Sequence, residues 1–152
     1  TPIVYETDYD FQIGKAIWIE PAAEVNIIAT GTSVGHAKTA IAELTKLGFS
    51  IGLLNMHTIS PLDTGALDEV ARISKRIFII EEHFLSGGLY SKVLEYYNGS
   101  CKSFAKISSL SIPMSYVETG TYEFMLSNLE LDADGILKKI AKVLNTNSNK
   151  QQ

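Results

Sequence analysis

Residues 76–97, RIFIIEEHFLSGGLYSKVLEYY, hold a strand, its polar end, a turn and a helix in one continuous run. Ile77, Phe78, Ile79 and Ile80 form an unbroken apolar block, the pattern of a strand covered on both faces, so a central strand is expected here. Glu81, Glu82 and His83 arrive together at its carboxyl end. Gly87-Gly88 then allows a tight turn into a helix whose apolar marks, Leu89, Val93, Leu94 and Tyr97, recur at helical spacing. In open parallel α/β sheets, ligands and partners meet the protein outside the carboxyl ends of the strands, so a site is sought there first.

Before this run, Lys15–Glu20 is a short apolar segment stopped by Pro21, which predicts a strand at a sheet edge. Val25–Ala29 is the next strand. Thr30-Gly31-Thr32-Ser33 turns it into a helix marked by Val34, Ala37, Ala40, Ile41, Leu44 and Leu47, with Thr32 or Ser33 as N-cap and Gly48 as its end. Ser50–Asn55 reads as a strand, and Asp63, after the loop HTISPL, can cap a helix carrying Leu67, Val70, Ala71 and Ile73. Beyond the central run, Phe104–Leu110 is a further strand closed by Pro113. Gly120-Thr121 starts a short helix, and Asp132 caps a last one through Ile136, Leu137, Ile140 and Leu144.

This alternation predicts a three-layer α/β/α fold with a mixed five-stranded sheet, the first strand antiparallel to four parallel ones. Only Pro21-Ala22-Ala23-Glu24 joins the first two strands, too little for a crossover, so if neighbours they must be antiparallel. Residues 1–14 mix aromatics and acids without period and read as an extended connector from a preceding domain. Residues 15–145 form the domain, and 146–152 a frayed tail. The connector suggests a piece of a longer polypeptide. A net charge of −4, with no cluster of Lys or Arg longer than a pair, argues against nucleic acid or an anionic membrane as partner. The lone Cys101 excludes an intramolecular disulfide and suits a cytoplasmic location.

His36, His57 and His83 each follow the end of a predicted parallel strand, as Glu81 and Glu82 do, a clustering that catalysis or metal binding would need. Polar residues of such folds gather at strand ends anyway, and no two histidines lie three or four apart on a helix. Gly31, Thr32 and Ser33 lie before a helix N-terminus that would favour an anion, though they match neither a dinucleotide glycine fingerprint nor a P-loop. A tight turn with a capping hydroxyl is the favoured reading of them. Tyr90, Tyr96 and Tyr97 share one helix at mixed phases, which points either to a subunit contact or to ordinary burial.

Five segments, FQIGKA (11–16), IATG (28–31), NMHTISPLD (55–63), EEH with GGL (81–83, 87–89), and ETGT through LDADGI (118–121, 131–136), stand in one order and spacing. In these the chain resembles a transketolase C-terminal domain, nearest the transketolase and split-transketolase branch, over about Phe11 to Leu144. The resemblance implies the third domain of a thiamine-diphosphate enzyme that transfers two-carbon ketol units between sugar phosphates, with a five-stranded mixed sheet. It also implies preceding transketolase domains or a separate subunit as partner, and a homodimer. Thiamine diphosphate and magnesium would be held by those other domains. The Gly-Asp-Gly motif of that family is missing, Ala133-Asp134-Gly135 being the nearest triplet, so this chain is expected to bind no cofactor or metal and, alone, to be inactive. No residue inherits a catalytic role. Gly31, Thr32, Ser33, His36, His57, Glu82, His83, Gly87 and Gly88 would then shape the strand-end loops, meet neighbouring domains or bind a small anion. The alternative is a free-standing α/β module that binds a small anion or a partner protein.

Overall fold

The structure, a computed structural model, describes residues 3–5, 8–100 and 105–148. Ten elements follow one another: β1 (Ile17–Glu20), β2 (Val25–Ala29), α1 (Ser33–Lys46), β3 (Ile51–Asn55), α2 (Thr64–Ile73), β4 (Arg76–Phe84), α3 (Leu89–Gly99), β5 (Lys106–Ile112), α4 (Tyr122–Asn128) and α5 (Ala133–Ser148). They build one five-stranded sheet in the order β1-β3-β2-β4-β5, in which β1 is antiparallel to β3 and every other pairing is parallel.

The apolar block in β4 works as its pattern predicts. Alternate side chains go to opposite faces of the sheet. Phe78 and Ile80 join Ile27, Ala29 and Leu53 under α1 and α5, whereas Ile77 and Ile79 join Ile28 and Leu54 under α2 and α3. Both layers are closed by helix residues that are essentially inaccessible, Ala37, Leu44, Ile136 and Ile140 on one side, Leu67, Val70, Leu89 and Val93 on the other. A strand covered twice cannot alternate polar and apolar, hence the continuous run.

The structure decides what the spacing left open and shifts some element ends. β1 does not lie beside β2: its partner is β3, with Ile17 opposite Asn55, so the short Pro21–Glu24 joint carries the chain past an intervening strand. β4 also runs on to Phe84, so Glu81, Glu82 and His83 belong to the strand rather than to a loop after it. At the other end of the chain α5 continues to Ser148, through the start of the segment read as frayed. Cys101 and Phe104 lie outside the described residues, and the last strand begins at Lys106.

Buried polar groups pin the elements. Asp63 caps α2 by accepting the Ala66 amide at 3.1 Å and reaches across to the Ala16 amide at 2.9 Å, fastening the entry of β1. Asn26, fully buried, holds the turn before β2 through the Ala23 amide at 3.0 Å and Ser74 Oγ at 2.8 Å. Tyr97 is buried rather than offered to a partner, and its hydroxyl donates to the Leu67 carbonyl at 2.8 Å, tying α3 to α2.

Burial above all, then the charges of Asp68 and Tyr96, push the Tyr97 phenol well above its ordinary value. The unfolded chain releases that proton near pH 10 and the folded chain does not, so the contribution is full below about pH 10 and is lost as pH rises beyond it. Tyr97→Phe is expected to flatten this alkaline decline, read from urea midpoints between about pH 9 and 11.

Candidate functional site

The sheet order creates the site. From β2 the chain passes through α1 to β3 on one side, and from β4 it passes through α3 to β5 on the other, with α1 and α3 on opposite faces. The two neighbouring strands therefore send their carboxyl-end loops apart, and a crevice is left between them. A cleft of about 310 Å³ lies there, lined by Thr30, Gly31, Thr32, Ile59, Glu81, Glu82, His83, Gly87 and Gly88. Gly31 and Gly87 turn its two walls at φ +62° and +89°, a region that favours glycine.

The carboxylates in the cleft are engaged. Glu81, 1% exposed, accepts the Leu89 amide at 2.7 Å and the Tyr90 amide at 2.9 Å, so the N-terminus of α3 is closed by the chain's own carboxylate. Gly88 makes the approach possible, because a Cβ there would fall on the Glu81 carboxylate. Glu82 Oε1 accepts the Thr32 hydroxyl and, at 2.8 Å, the Tyr122 hydroxyl. Thr32 occupies the N-cap position of α1 but makes no side-chain cap, since its hydroxyl is turned to Glu82. Burial raises the Tyr122 phenol most, a hydrogen bond with Thr32 lowers it, and Glu82 raises it again; the net effect is upward.

The three histidines do not come together. His83 is exposed at the cleft, with Nδ1 2.9 Å from the Phe84 carbonyl. His57 follows β3, with Nδ1 3.0 Å from Thr58 Oγ1 and its ring 4.5 Å from that of Phe11. His36 lies in the first turn of α1, and neither it, His57 nor Ser33 lines the cleft. Nε2 of His36, Nε2 of His57 and Oγ of Ser33 are buried without a protein partner among the described residues. The same residues include no group of three or more His, Cys, Asp or Glu able to hold a metal ion. Sequence reasoning placed Glu81 at this strand end but not among the final site candidates, and it left out Tyr122 and Ile59. For Glu81 the signal was present, an acid ahead of a glycine pair and a helix start, whereas nothing local marks Tyr122, 40 residues from its partner.

Comparison with known proteins agrees with this architecture. The family model described as "Transketolase, C-terminal domain" matches residues 14–136. The chain belongs to the transketolase C-terminal domain family. A 1-deoxy-D-xylulose-5-phosphate synthase of Dehalococcoides mccartyi is 33% identical over 142 residues, covering 92% of this chain and 22% of the synthase. One of the subunits of an apulose-4-phosphate transketolase of Phocaeicola vulgatus is 33% identical over 138 residues, covering 90% of this chain and 43% of that protein. The chain thus spans about a fifth to under half of the length of these relatives. Among solved structures, a split-gene transketolase described as an inactive beta4 tetramer superposes with a TM-score of 0.83 at 24% identity, over 95% of this chain and 46% of that one. A Campylobacter jejuni transketolase gives 0.65 at 13% identity, over 91% and 20%. At these identities the structures bear on the fold alone.

The transketolase-type domain presented by this chain has no diphosphate-binding loop at the triplet nearest the Gly-Asp-Gly motif. Ala133-Asp134-Gly135 is the first turn of α5, with Asp134 paired to Lys138 and Gly135 packed on the backbone of Glu130. These residues do not fit thiamine diphosphate and its metal. No helix among the described residues is long and apolar enough to cross a membrane.

Proposed function

We propose that this chain acts as the non-catalytic C-terminal domain of a transketolase-type, thiamine-diphosphate-dependent enzyme, supporting the domains or subunit that hold the cofactor and contributing to a cytoplasmic dimer. In the assembled enzyme the reaction would be two-carbon ketol transfer between sugar phosphates. One observation carries the reading: at the strand ends, where chemistry in such a fold would lie, Glu81 gives both carboxylate oxygens to the start of α3, and Glu82 gives Oε1 to the Thr32 and Tyr122 hydroxyls. The groups that a catalytic site would offer to substrate hold the loops together instead.

The cleft gives some support to a second reading, a free-standing module for a small anion, but two carboxylates on its wall oppose negative charge. Calorimetry separates the readings. Adding the purified chain to thiamine diphosphate with magnesium, and separately to inorganic phosphate, is expected to give no binding heat in either case. Sedimentation with the thiamine-binding portion of a transketolase-type enzyme from the same source is expected to show a complex. Saturable heat with thiamine diphosphate would overturn the non-catalytic reading, and saturable heat with phosphate alone would favour the anion module.

A further inference from the structure

Large apolar side chains stand exposed where β4 and β5 end. Phe84 closes β4 opposite Ile112 of β5, Leu85 follows it, and each is 45% exposed. In the segment that leaves β5, Met114 is 72% exposed and Tyr116 wholly so. Tyr122 and Phe124 join them from the first turn of α4. The Tyr122 hydroxyl, 2.8 Å from Glu82 Oε1, brings that turn to the end of β4, and the Phe124 ring lies against Gly120. Single exposed apolar residues are ordinary, but a group drawn from β4, the following segment and α4 to one end of the sheet has the character of an interface.

The charges there have one sign. Residues 81–88 and 113–124 contain Glu81, Glu82, Glu118 and Glu123 and none of the thirteen Lys and Arg of the chain. Glu81 is engaged inside, on α3, whereas Glu118 and Glu123 are exposed between and beside the apolar residues. A second copy paired with this face about a two-fold axis would set these carboxylates against their equals. The face suits a protein surface that is apolar at its centre and carries Lys or Arg at its rim. In the two relatives described above, the part matched by this chain is 22% and 43% of the whole, so in them such a domain lies beside further protein of the same polypeptide.

Resting on the reading of this chain as a supporting domain, we propose that the ends of β4 and β5, with residues 113–121 and the first turn of α4, form the surface on which the thiamine-binding portion of the enzyme docks, through an apolar patch flanked by Lys or Arg. Met114 and Tyr116 are its anchors: they have the most surface to lose on being covered and the least part in the fold of the free domain. Tyr122 meets the partner with its hydroxyl already held by Glu82, so less freedom is lost there on docking.

The test measures the affinity of the whole chain for the thiamine-binding portion of a transketolase-type enzyme from the same source, by sedimentation. Tyr116→Ser and Met114→Ser are each expected to weaken the complex on the order of tenfold. Their urea midpoints should match the parent, because both side chains are exposed. Glu118→Lys combined with Glu123→Lys is expected to weaken it as well, and by less as salt is raised from about 0.05 to 0.5 M. Leu47→Ser, an exposed apolar position at the far end of α1, is expected to change nothing. A complex that ignores the Met114, Tyr116 and paired glutamate variants, or that Leu47→Ser weakens equally, would overturn this face while leaving the supporting role intact. No complex with the parent chain would overturn both. Self-association of the chain that Tyr116→Ser abolishes and the thiamine-binding portion does not compete away would show that a second copy covers the face, and would also overturn the proposal.

Discussion

Glu81→Ala is expected to lower the stability of the domain by about 3 kcal/mol, with the slope of urea unfolding unchanged. The carboxylate is 1% exposed and accepts two amides of the α3 N-terminus, at 2.7 and 2.9 Å. Alanine leaves both donors unanswered, one of them fully buried at Leu89, and removes the negative charge that faces the positive end of the helix. Glu81→Gln keeps one acceptor oxygen and should lose roughly half as much. Gly88 completes the joint: a Cβ there would lie 2.7 Å from Glu81 Cδ and 2.8 Å from His83 Nδ1, so Gly88→Ala should also destabilise. Its cost is expected to shrink when combined with Glu81→Ala, because the group it strikes is then gone. Equal urea midpoints for Glu81→Ala and the parent would show that the cap contributes nothing; full additivity with Gly88→Ala would show that the two positions are not one joint.

Two glycine substitutions are expected to move the melting temperature in opposite directions. At Gly135, in the first turn of α5, a Cβ would come within 2.5 Å of Glu130 C and 2.6 Å of Glu130 O, backbone atoms that cannot rotate away. Glu130 is itself held at φ 55°, so the loop has little room to yield. α5 must then shift, and with it Ile136 and Ile140, both fully buried. A loss of about 3 kcal/mol or more follows for Gly135→Ala, in the range of overpacked cores. Gly65, in the first turn of α2, meets only Asp63 Oδ1 at 3.5 Å, an ordinary contact. Gly65→Ala should therefore gain ~0.5–1 kcal/mol from the reduced freedom of the unfolded chain. Calorimetric melts of the two variants against the parent check both signs, and a rise for Gly135→Ala would show that α5 is not seated on Glu130 as described.

Much of this was legible residue by residue. The block Ile77–Ile80 announced a doubly covered strand, Asp63 and Asp132 announced helix starts, and the Ala66 and Gly135 amides do bond to them at 3.1 and 2.8 Å. Thr121 likewise caps α4, accepting the Phe124 amide at 3.3 Å. These are local events, decided within four residues, and their signals are local too. Thr32 shows where such reading stops. Its position before α1 is that of a cap, yet its hydroxyl goes to Glu82, 50 residues along the chain. Tyr97 made a related point: its spacing allowed burial or a surface contact, and in the fold it is buried, with its hydroxyl donating to the Leu67 carbonyl 30 residues away.

By itself, then, the sequence determined the order and kind of the elements, the coverage of the sheet on both faces, the edge at which polar residues gather and the family to which the chain belongs. Periodicity and capping act over a few residues and are written in the residues themselves. Only the tertiary structure decided that β1 lies beside β3 rather than β2, that Glu81 closes α3, that Glu82 joins three elements, and that His83 lines the cleft while His36 and His57 do not. Strand neighbours and long-range hydrogen-bond partners are selected through space, by which surfaces the packed layers bring into contact, and no spacing along the chain encodes that choice.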